Sequence, residues 1–348
     1  MSPPLAELAT RQLLITGGTG FVGRHLVAAL QAAGAADLRQ LVRGSDGRSG
    51  PATAVGDLAA PATLAPACAG REIVLHLAAA MPGQSQEPRD LAGYRRVNVE
   101  GTRALARAAA AAGARRFVLV SSTAAMGRPP AGPVDETTPC RPASPYEVTK
   151  HEAEEGLLAF AAASGLAVTI LRPCVVAGAG QRGGMLLKLF AWCRRGLFPA
   201  FGGRLDRRKP LVAVEDLVQA IARAALCERR DGLYLITSGE PHLLRDMVDI
   251  AGRLVGQPRP SLHVPLPLAR LAAAVTTPLA SALGRAPPLS PERLDLFLAD
   301  RMLDIGRARR ELGYAPTHGD LEAMLATTHA WYVASGQLAP PAAPVRTA

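Results

Sequence analysis

The sequence predicts an α/β fold in which the N-terminal half of the chain builds a parallel, doubly wound sheet. Short apolar runs recur along this half, alanine-rich helical segments lie between them, and turn residues bound each run. Strands that alternate with helices in this way form parallel sheets with right-handed crossovers. With 348 residues and 49% hydrophobic content, the chain can bury the core of one large domain or of two closely joined ones.

The apolar runs and the segments between them predict the individual elements. Strands are expected at 12–16, 38–42, 73–77, 117–121 and 168–172. Helices are expected at 22–33, 94–112 and 146–164. Pro and Gly then interrupt the pattern, which predicts a larger region at 11–176 and a smaller one at 177–335, with sheet and helices partly shared. We expect a further helix to begin at Pro291, capped by Ser290, and the tail at 339–348 to be disordered.

Charge and cysteine content argue against several classes of protein. The formal net charge is +10, but the basic residues are scattered and aromatic residues make up only 4%, so nucleic-acid binding is not expected. The five cysteines lack the paired spacing of a metal site, and no secretory signal precedes the first strand. We therefore expect no metal, a reduced cytoplasmic setting, and a basic surface that attracts an anionic cofactor or substrate.

One apolar stretch, at 262–283, has the composition of a membrane segment. Pro265, Pro267 and Pro278 interrupt it and Arg270 lies inside it, so a spanning helix is not expected. We predict a buried helix beside the substrate cavity, with weak peripheral contact with a membrane surface as the alternative.

The first predicted strand leads directly into the sequence TGGTGFVG at 16–23. A glycine motif between a strand and a helix is typical of dinucleotide sites. Gly17 permits the tight turn, Gly20 lets the backbone approach a pyrophosphate, and Gly23 lets the helix pack closely on the strand. The N-terminus of the helix then stabilises the phosphates. A glycine-rich turn without a ligand is the alternative, and the strand before it argues against that.

The residues after the second strand indicate which dinucleotide is bound. NAD-selective sites offer an acidic side chain to the ribose hydroxyls there, whereas this chain has the sequence LVRGS at 41–45. Because an arginine suits a 2′-phosphate, Arg43 favours NADP(H). NAD(H) is the alternative if Arg43 faces only solvent.

Tyr146 and Lys150 lie four residues apart at the start of a predicted helix, so their side chains share one face. Tyrosine is a poor acid or base at neutral pH, and a neighbouring ammonium is expected to lower the pKa of the Tyr146 phenol. Ser122 follows the strand at 117–121, at the carboxyl edge of the sheet where open α/β folds bind ligands. Its hydroxyl can orient a substrate oxygen, although Tyr and Lys at this spacing also occur on ordinary helices, and strand-end serines also cap turns.

A series of short motifs stands in order along residues 11–335. They are TGGTGFVG at 16–23, GDL at 56–58, HLAA at 76–79, VNVEGT at 97–102, VSSTAAMG at 120–127, YEVTK at 146–150 and LRP at 171–173. In this order they resemble the extended short-chain dehydrogenase/reductase family, which includes nucleotide-sugar epimerases, dehydratases and 3β-hydroxysteroid dehydrogenases.

The resemblance implies an NAD(P)-dependent oxidoreductase with a Rossmann-type cofactor region at the N-terminus and a substrate-binding region after it. It implies that Tyr146 is the acid/base, with Lys150 as its partner. It implies that Ser122 orients the substrate and that Asn98 helps hold a water-linked proton path. Cofactor contacts are implied or predicted for Gly17, Thr19, Gly20, Phe21, Val22, Gly23, Arg43, Asp57, Leu58, Ala78, Ala79, Tyr146, Lys150 and Pro173.

Two residues depart from the family pattern and bear on the substrate. Met126 stands where many members carry tyrosine, and Cys174 follows LRP where many sugar-nucleotide enzymes carry an asparagine for the diphosphate. Together with the apolar stretch at 262–283, these departures favour an apolar, 3β-hydroxysteroid-like secondary alcohol or ketone. The alternative is a nucleotide-sugar 4-epimerase or 4-keto-sugar reductase, because the basic residues at 207–209 lie near where such members bind phosphate.

The same motifs bear on other possible functions, and relatives indicate the oligomeric state. A non-catalytic NAD(P)-binding scaffold or sensor has no need to keep the serine, tyrosine and lysine together with the glycines, which argues against it. A dehydratase would lack its acid and base, because Ala124 and Ala125 stand where such members carry an acidic pair. By analogy with relatives, we expect a small-molecule substrate and a homodimer formed through the helices at 94–112 and 146–164.

Overall fold

The computed structural model describes residues 3–44, 52–82, 90–128, 130, 132–203, 205–229, 231–282 and 291–340. Its strands are β1 (Leu13–Thr16), β2 (Leu38–Val42), β3 (Thr53–Val55), β4 (Ile73–His76), β5 (Arg116–Val120), β6 (Pro133–Val134), β7 (Ala167–Pro173), β8 (Val175–Ala177), β9 (Phe198–Phe201), β10 (Arg208–Lys209), β11 (Leu211–Ala213), β12 (Asp231–Ile236), β13 (His242–Leu243), β14 (Ser261–Val264) and β15 (Met302–Leu303). Its α-helices are α1 (Pro3–Leu8), α2 (Phe21–Ala32), α3 (Ala65–Cys68), α4 (Leu91–Arg95), α5 (Thr102–Ala111), α6 (Pro145–Ser164), α7 (Gly184–Arg194), α8 (Val214–Leu226), α9 (Leu244–Leu254), α10 (Leu266–Ala282), α11 (Pro291–Leu298), α12 (Gly306–Leu312) and α13 (Leu321–Ala334).

Seven strands form one sheet in the order β12-β7-β5-β4-β1-β2-β3. Every pairing within it is parallel. Because β1 lies between β2 and β4, the chain winds outward from β1 in both directions, and a crevice lies at the carboxyl ends of β1 and β4. The predicted α/β fold with a Rossmann-type doubly wound parallel sheet is confirmed.

Helices cover both faces of this sheet, and one apolar cluster lies on each face. On one face α2 and α8 contribute Leu26, Leu30 and Leu217 to the core. On the other, α5 and α6 contribute Leu105 and Leu157. Strands β1 and β4 are buried along their whole length, because parallel strands between two helical layers are apolar on both faces. This explains why the strands were visible in the sequence as continuous apolar runs.

The predicted strands and helices lie within one residue of their expected ends, with one exception. The helix expected at 94–112 is divided into α4, a π-helical segment at Arg96–Gly101, and α5. A π-helical turn has no signature in the hydrophobic pattern, because it only adds one residue to a turn. The helix expected at Pro291 is present as α11, while its Ser290 cap and residues 341–348 of the tail lie outside the described residues.

The C-terminal part of the chain returns to the main sheet through β12, which pairs with β7. Helix α8 also packs on the same face of that sheet as α2. The two parts of the chain therefore share the main sheet and the helical layer of α2 and α8. The division between residues 176 and 177 stays a prediction about cofactor and substrate binding, and it is not a boundary between separate cores.

The apolar stretch at 262–283 is not a buried helix, so that prediction is wrong. It forms β14, which pairs with β9, and α10, whose outer face exposes Leu268, Leu271 and Val275. The helix buries mainly small alanine side chains, so packing on the protein covers only one side of it. Among the described helices, none combines the length and the apolar composition that crossing a bilayer requires.

Candidate active site

The glycine motif forms a tight turn between β1 and α2. Gly17 has a φ of +75°, and a Cβ atom there would lie 2.7 Å from the Ala78 backbone nitrogen. A Cβ atom on Gly23 would lie 2.0 Å from the Gly17 carbonyl oxygen, so only glycine lets α2 approach the turn. Thr19 and Gly20 are exposed at the tip of the turn, beside half-buried Phe21 and Val22 at the start of α2.

The beginning of α2 has the properties of an anion site. Gly20 is its N-cap, no side chain caps it, and its first turn carries no acidic residue. The first N–H groups of such a helix, together with its dipole, attract a negatively charged group. The glycine turn and the uncapped helix therefore fit the pyrophosphate of a dinucleotide.

We expect Gly23→Ala to weaken cofactor binding by about tenfold to a hundredfold, because overpacking of this size costs about 1–3 kcal/mol. The measurement is a fluorescence titration with NADPH and NADH. Gly156→Ala, in the middle of α6, is the matched control, since its added Cβ would meet only the flexible Arg103 guanidinium, at 3.0 Å. Equal cofactor affinity in the two variants would mean that the turn does not hold the cofactor.

The residues proposed to contact the adenosine end follow β2 and β3. Thr16 at the end of β1 pairs with Leu41, so exposed Arg43 lies beyond the strand, level with the glycine turn. Asp57 follows β3, and its carboxylate accepts a hydrogen bond of 2.9 Å from the Ala59 backbone N–H. Leu58 is buried in the core beneath this loop.

The residues proposed near the nicotinamide end follow β4 and β7. Ala78 and Ala79 are half-buried directly after β4, and buried Pro173 ends β7. Both strands end at the carboxyl edge of the sheet, on the same side as the glycine turn. The structure therefore brings these positions to one edge, although they are far apart in the sequence.

A buried histidine, which sequence reasoning missed, connects these elements. His76 Nδ1 lies 2.6 Å from Thr16 Oγ1, and His76 Nε2 lies 2.9 Å from Thr102 Oγ1. Thr102 Oγ1 donates to the Asn98 carbonyl oxygen, so it accepts from His76, which therefore carries its proton on Nε2. Burial, with a smaller effect of the Lys150 charge, lowers the pKa of His76 to about 3, so it is neutral. His76 is the first residue of the HLAA motif, and this motif is the feature of the sequence that could have identified it.

Asn98 lies in the π-helical segment and holds the loop that follows β4. Its Oδ1 accepts a hydrogen bond of 2.7 Å from the Ala80 backbone N–H, and its Nδ2 donates to the Ala80 carbonyl oxygen at 3.1 Å. The same Nδ2 donates to Thr149 Oγ1, on α6, at 3.2 Å. Asn98 thus ties the loop of Ala78 and Ala79 to the helix of Tyr146, and its part in a proton path stays a prediction.

Helix α6 places Tyr146 in its first turn, next to the end of β5. A capping box fixes this start: Ser144 Oγ accepts from the Glu147 backbone N–H at 3.3 Å, and Glu147 Oε2 accepts from the Ser144 backbone N–H at 3.0 Å. The Ser122 hydroxyl lies near the Tyr146 phenol, and hydrogen bonding with it acts to lower the pKa of the phenol. Ser122 Oγ also accepts from the Ala124 backbone N–H at 3.1 Å, which fixes the orientation of the serine.

The pKa of Tyr146 moves in the opposite direction from the sequence prediction. Burial raises it to about 12, and the hydrogen bond from Ser122 opposes this only in part. Lys150 is buried one helical turn later, and its Nζ donates to the Val120 carbonyl oxygen at 3.2 Å. Burial also lowers the pKa of Lys150 to about 8, while the carboxylate of Glu154 opposes the shift. Desolvation therefore determines the direction of the shift, and the nearby Lys150 does not bring the pKa of the phenol below its usual value.

Comparison with known proteins bears on this arrangement. A model of the NAD dependent epimerase/dehydratase family matches residues 13–234. The chain belongs to this family. Its members include NAD-dependent oxidoreductases and epimerases of the extended short-chain dehydrogenase/reductase type, so the protein is an enzyme of that type.

Three relatives illustrate the range of the epimerase/dehydratase family. Sterol demethylase protein B of Methylococcus capsulatus is 32% identical over 338 residues, which cover 93% of this chain and 99% of that protein. A 3 beta-hydroxysteroid dehydrogenase/Delta 5-->4-isomerase of Mycobacterium tuberculosis is 31% identical over 332 residues, which cover 89% and 88%. The structure of MoeE5 in complex with UDP-glucose and NAD has a TM-score of 0.72 at 27% identity, covering 93% of this chain and 99% of that chain.

Both residues that depart from the pattern of this family are buried in the core. Met126 and Cys174 lie in the apolar cluster on the α2 side of the sheet. Burial in this apolar surrounding raises the pKa of the Cys174 thiol, so the sulfur is neutral. An apolar thiol and thioether therefore occupy positions where many relatives carry polar groups.

The basic residues at 207–209 have protein partners. Lys209 Nζ donates to the carbonyl oxygens of Phe297 and Ala299, at 2.9 and 2.8 Å, beside the end of α11. The Arg208 backbone N–H donates to Asp300 Oδ1 at 2.6 Å. Arg207 is half-buried and lines a cavity of about 560 Å³ between β9, α10 and α11. Of the three, Arg207 is the one whose position suits a ligand.

A buried ion pair lies one turn beyond Lys150 and was also missed from the sequence. Arg172 Nη2 and Nε donate to Glu154 Oε2 at 2.6 and 3.0 Å, and both side chains are almost fully buried. Arg172 Nη2 also lies 3.4 Å from Cys140 Sγ. The pair connects α6 to β7, and its residues were visible only as the arginine of LRP and an ordinary helical glutamate.

Proposed function

We propose that this enzyme interconverts a secondary alcohol and a ketone on an apolar, 3β-hydroxysteroid-like substrate. The observation that carries the proposal is the packing of the start of α6, with Tyr146, beside Ser122 at the carboxyl edge of the sheet, with Lys150 one turn away. The names of two relatives, a sterol demethylase protein and a 3 beta-hydroxysteroid dehydrogenase, support an apolar substrate. The apolar character of buried Met126 and Cys174 is in keeping with it.

In the proposed reaction Tyr146 moves the proton and Ser122 holds the substrate oxygen. A bound nicotinamide supplies or accepts the hydride at the carbon that carries this oxygen. Since the pKa of Tyr146 is about 12, the phenol keeps its proton at neutral pH and can donate it to the alkoxide oxygen in ketone reduction. In alcohol oxidation the phenol first loses its proton to solvent, and the phenolate oxygen then accepts the proton of the substrate hydroxyl. Lys150 supplies positive charge beside it.

For the cofactor we propose NADP(H), with NAD(H) as the alternative. The family is one of NAD-dependent enzymes, and the MoeE5 structure contains NAD. The exposed Arg43, level with the glycine turn, supports binding of a 2′-phosphate.

We expect Arg43→Ala to weaken NADPH binding by about tenfold or more, because a hydrogen bond to a charged group contributes about 1.5–3 kcal/mol. The measurement is a titration that follows nicotinamide fluorescence. The affinity for NADH is the internal control and is expected to stay the same, since NADH has no 2′-phosphate. An equal loss of affinity for both cofactors would show that Arg43 does not recognise the 2′-phosphate.

One pair of assays tests the reaction itself. The enzyme is incubated with a 3β-hydroxysterol and NAD⁺ or NADP⁺, and formation of reduced nicotinamide is followed by absorbance. A parallel reaction with UDP-glucose is analysed for the 4-epimer. Sterol oxidation without epimerisation supports the proposal, and epimerisation without sterol oxidation overturns it. Cofactor binding with no turnover on a broad panel of alcohols, ketones and nucleotide sugars would identify a scaffold or sensor.

The nucleotide-sugar 4-epimerase or 4-keto-sugar reductase is the second candidate. The observations that favour it are the UDP-glucose bound in the MoeE5 structure and the position of Arg207 on a cavity wall. Against it, Lys209 already donates to two backbone carbonyl oxygens. The homodimer and the cytoplasmic location stay predictions.

A further inference from the structure

We propose that the outer face of α10 docks the protein on an anionic lipid bilayer. This face is formed by Leu268, Leu271, Ala272 and Val275, and we call it the α10 stripe. Leu268, Leu271 and Val275 are 58%, 62% and 56% exposed. They are separated by three and four residues, so they form one continuous apolar strip along the helix.

The packing of α10 fixes which side faces outward. Ala269 and Ala273 are buried, at 2% and 0% exposure, and Leu266 packs with them toward Phe201 and Leu294. A surface helix of a soluble protein normally carries polar residues opposite its buried side. Here leucine and valine stand on that side, so the helix is apolar on both its inner and its outer face. An interfacial helix has this outward apolar face.

Other exposed apolar side chains lie on the elements that precede α10. Leu262 on β14 is 49% exposed, and its strand neighbour on β9 is Pro199. Leu197, just before β9, is 47% exposed, and its backbone N–H donates to the Trp192 carbonyl oxygen at 3.0 Å. Trp192 is itself 47% exposed. Tryptophan prefers the boundary between lipid chains and water, so it suits the rim of such a surface.

The charge of the segment that contains α10 indicates which kind of partner the α10 stripe binds. From residue 250 to residue 291 the sequence contains no Asp or Glu. Arg259 is exposed beside β14, and Arg195 is exposed after α7. Basic side chains near an apolar strip are attracted to anionic lipid headgroups, whereas two copies of this face would bring like charges together. The surface therefore fits an anionic bilayer better than a self-association interface.

A docked α10 also has a consequence for substrate entry. The cavity of about 560 Å³ lies on the inner side of this helix and is lined by Leu266, Arg270, Phe201 and Leu298 among others. Docking would hold this cavity close to the bilayer, from which an apolar substrate would be supplied. This consequence rests on the proposed apolar substrate, whereas the docking itself does not.

The test is sedimentation of the full-length protein with vesicles of phosphatidylcholine containing phosphatidylglycerol, and with vesicles of phosphatidylcholine alone. We expect binding to the anionic vesicles, weakened by salt and lower on the neutral ones. Leu271→Glu with Val275→Glu is expected to reduce that binding by about tenfold or more. Val55→Glu, which also places a carboxylate at an exposed apolar position but on the edge strand β3, is expected to bind like the wild type.

A second measurement reports the orientation. The protein has two tryptophans, so Trp331→Phe leaves Trp192 as the only one. On anionic vesicles the emission of Trp192 is expected to shift to shorter wavelength and to be quenched by brominated lipid chains. The melting temperature of each variant shows that it is folded, and cofactor titration shows that its nucleotide site is intact.

Three results would overturn the proposal. The first is a wild-type protein that sediments with neither vesicle. The second is vesicle binding that the stripe variant leaves unchanged. The third is a wild-type dimer, measured by light scattering, that becomes monomeric in the stripe variant while neither protein binds vesicles, which would identify the α10 stripe as a subunit interface. Failure of sterol turnover with intact vesicle binding would instead reject only the proposed substrate.

Discussion

Replacing Tyr146 with phenylalanine is expected to lower turnover by about a hundredfold to ten-thousandfold, the usual contribution of a positioned acid or base. The ring is retained, so its edge-on contact with Tyr94, at 6.3 Å between ring centres, is kept. The variant loses only the phenolic oxygen. Cofactor affinity is therefore expected to change little, and steady-state kinetics combined with cofactor titration measures both effects.

Tyr94→Phe is the matched control for this prediction. Tyr94 is also a buried tyrosine, and its ring contacts the ring of Tyr146, but it lies on a different helix, α4. Its variant is expected to keep turnover within a few fold, because its hydroxyl has no role in the proposed reaction. Comparable losses in the two variants would mean that the phenol of Tyr146 acts through packing and not through proton transfer.

Breaking the buried ion pair is expected to have the largest effect on stability. Arg172→Met leaves the Glu154 carboxylate buried without its partner, and such a loss costs about 3–5 kcal/mol of unfolding free energy. The measurement is urea unfolding followed by circular dichroism. Removing both charges with Arg172→Met and Glu154→Leu is expected to restore most of the loss, because an apolar pair needs no compensation for desolvation.

The same helix provides a control at its surface. Arg95 and Glu152 form an ion pair between α4 and α6, at 2.5 Å, with side chains 45% and 30% exposed. Solvent screens this pair, so Arg95→Met is expected to destabilise the protein far less than Arg172→Met. If Arg172→Met is as stable as Arg95→Met, the buried Glu154 carboxylate does not need Arg172 to compensate for its desolvation.

Much of the fold was predictable because its signals are local. Apolar runs of strand length between alanine-rich segments are determined by burial on both faces of a parallel sheet. The glycines at 17, 20 and 23 and the proximity of Tyr146 to Lys150 depend only on spacing within one turn or one helix. A polar group at the end of a strand could be assigned to the carboxyl edge, which is why Ser122 was expected near the tyrosine.

What depends on the surroundings of a residue was not predictable in this way. The neutral His76 and the ion pair of Glu154 with Arg172 join strands and helices that are distant in sequence. The pKa of Tyr146 rises to about 12 because burial around the phenol outweighs the hydrogen bonding of Ser122, and burial is a property of the assembled layers.

The sequence by itself determined the doubly wound sheet, the glycine turn and the side chains gathered at its edge, since each follows from periodicity or from spacing of a few residues. Tertiary structure alone decided the direction in which α10 faces. Its composition predicted a buried helix, but within the described residues the packing covers the side with Ala269 and Ala273 and leaves Leu271 and Val275 in solvent. Hydrophobicity specifies that a side chain prefers burial, and only the neighbours that the fold supplies decide whether it is buried.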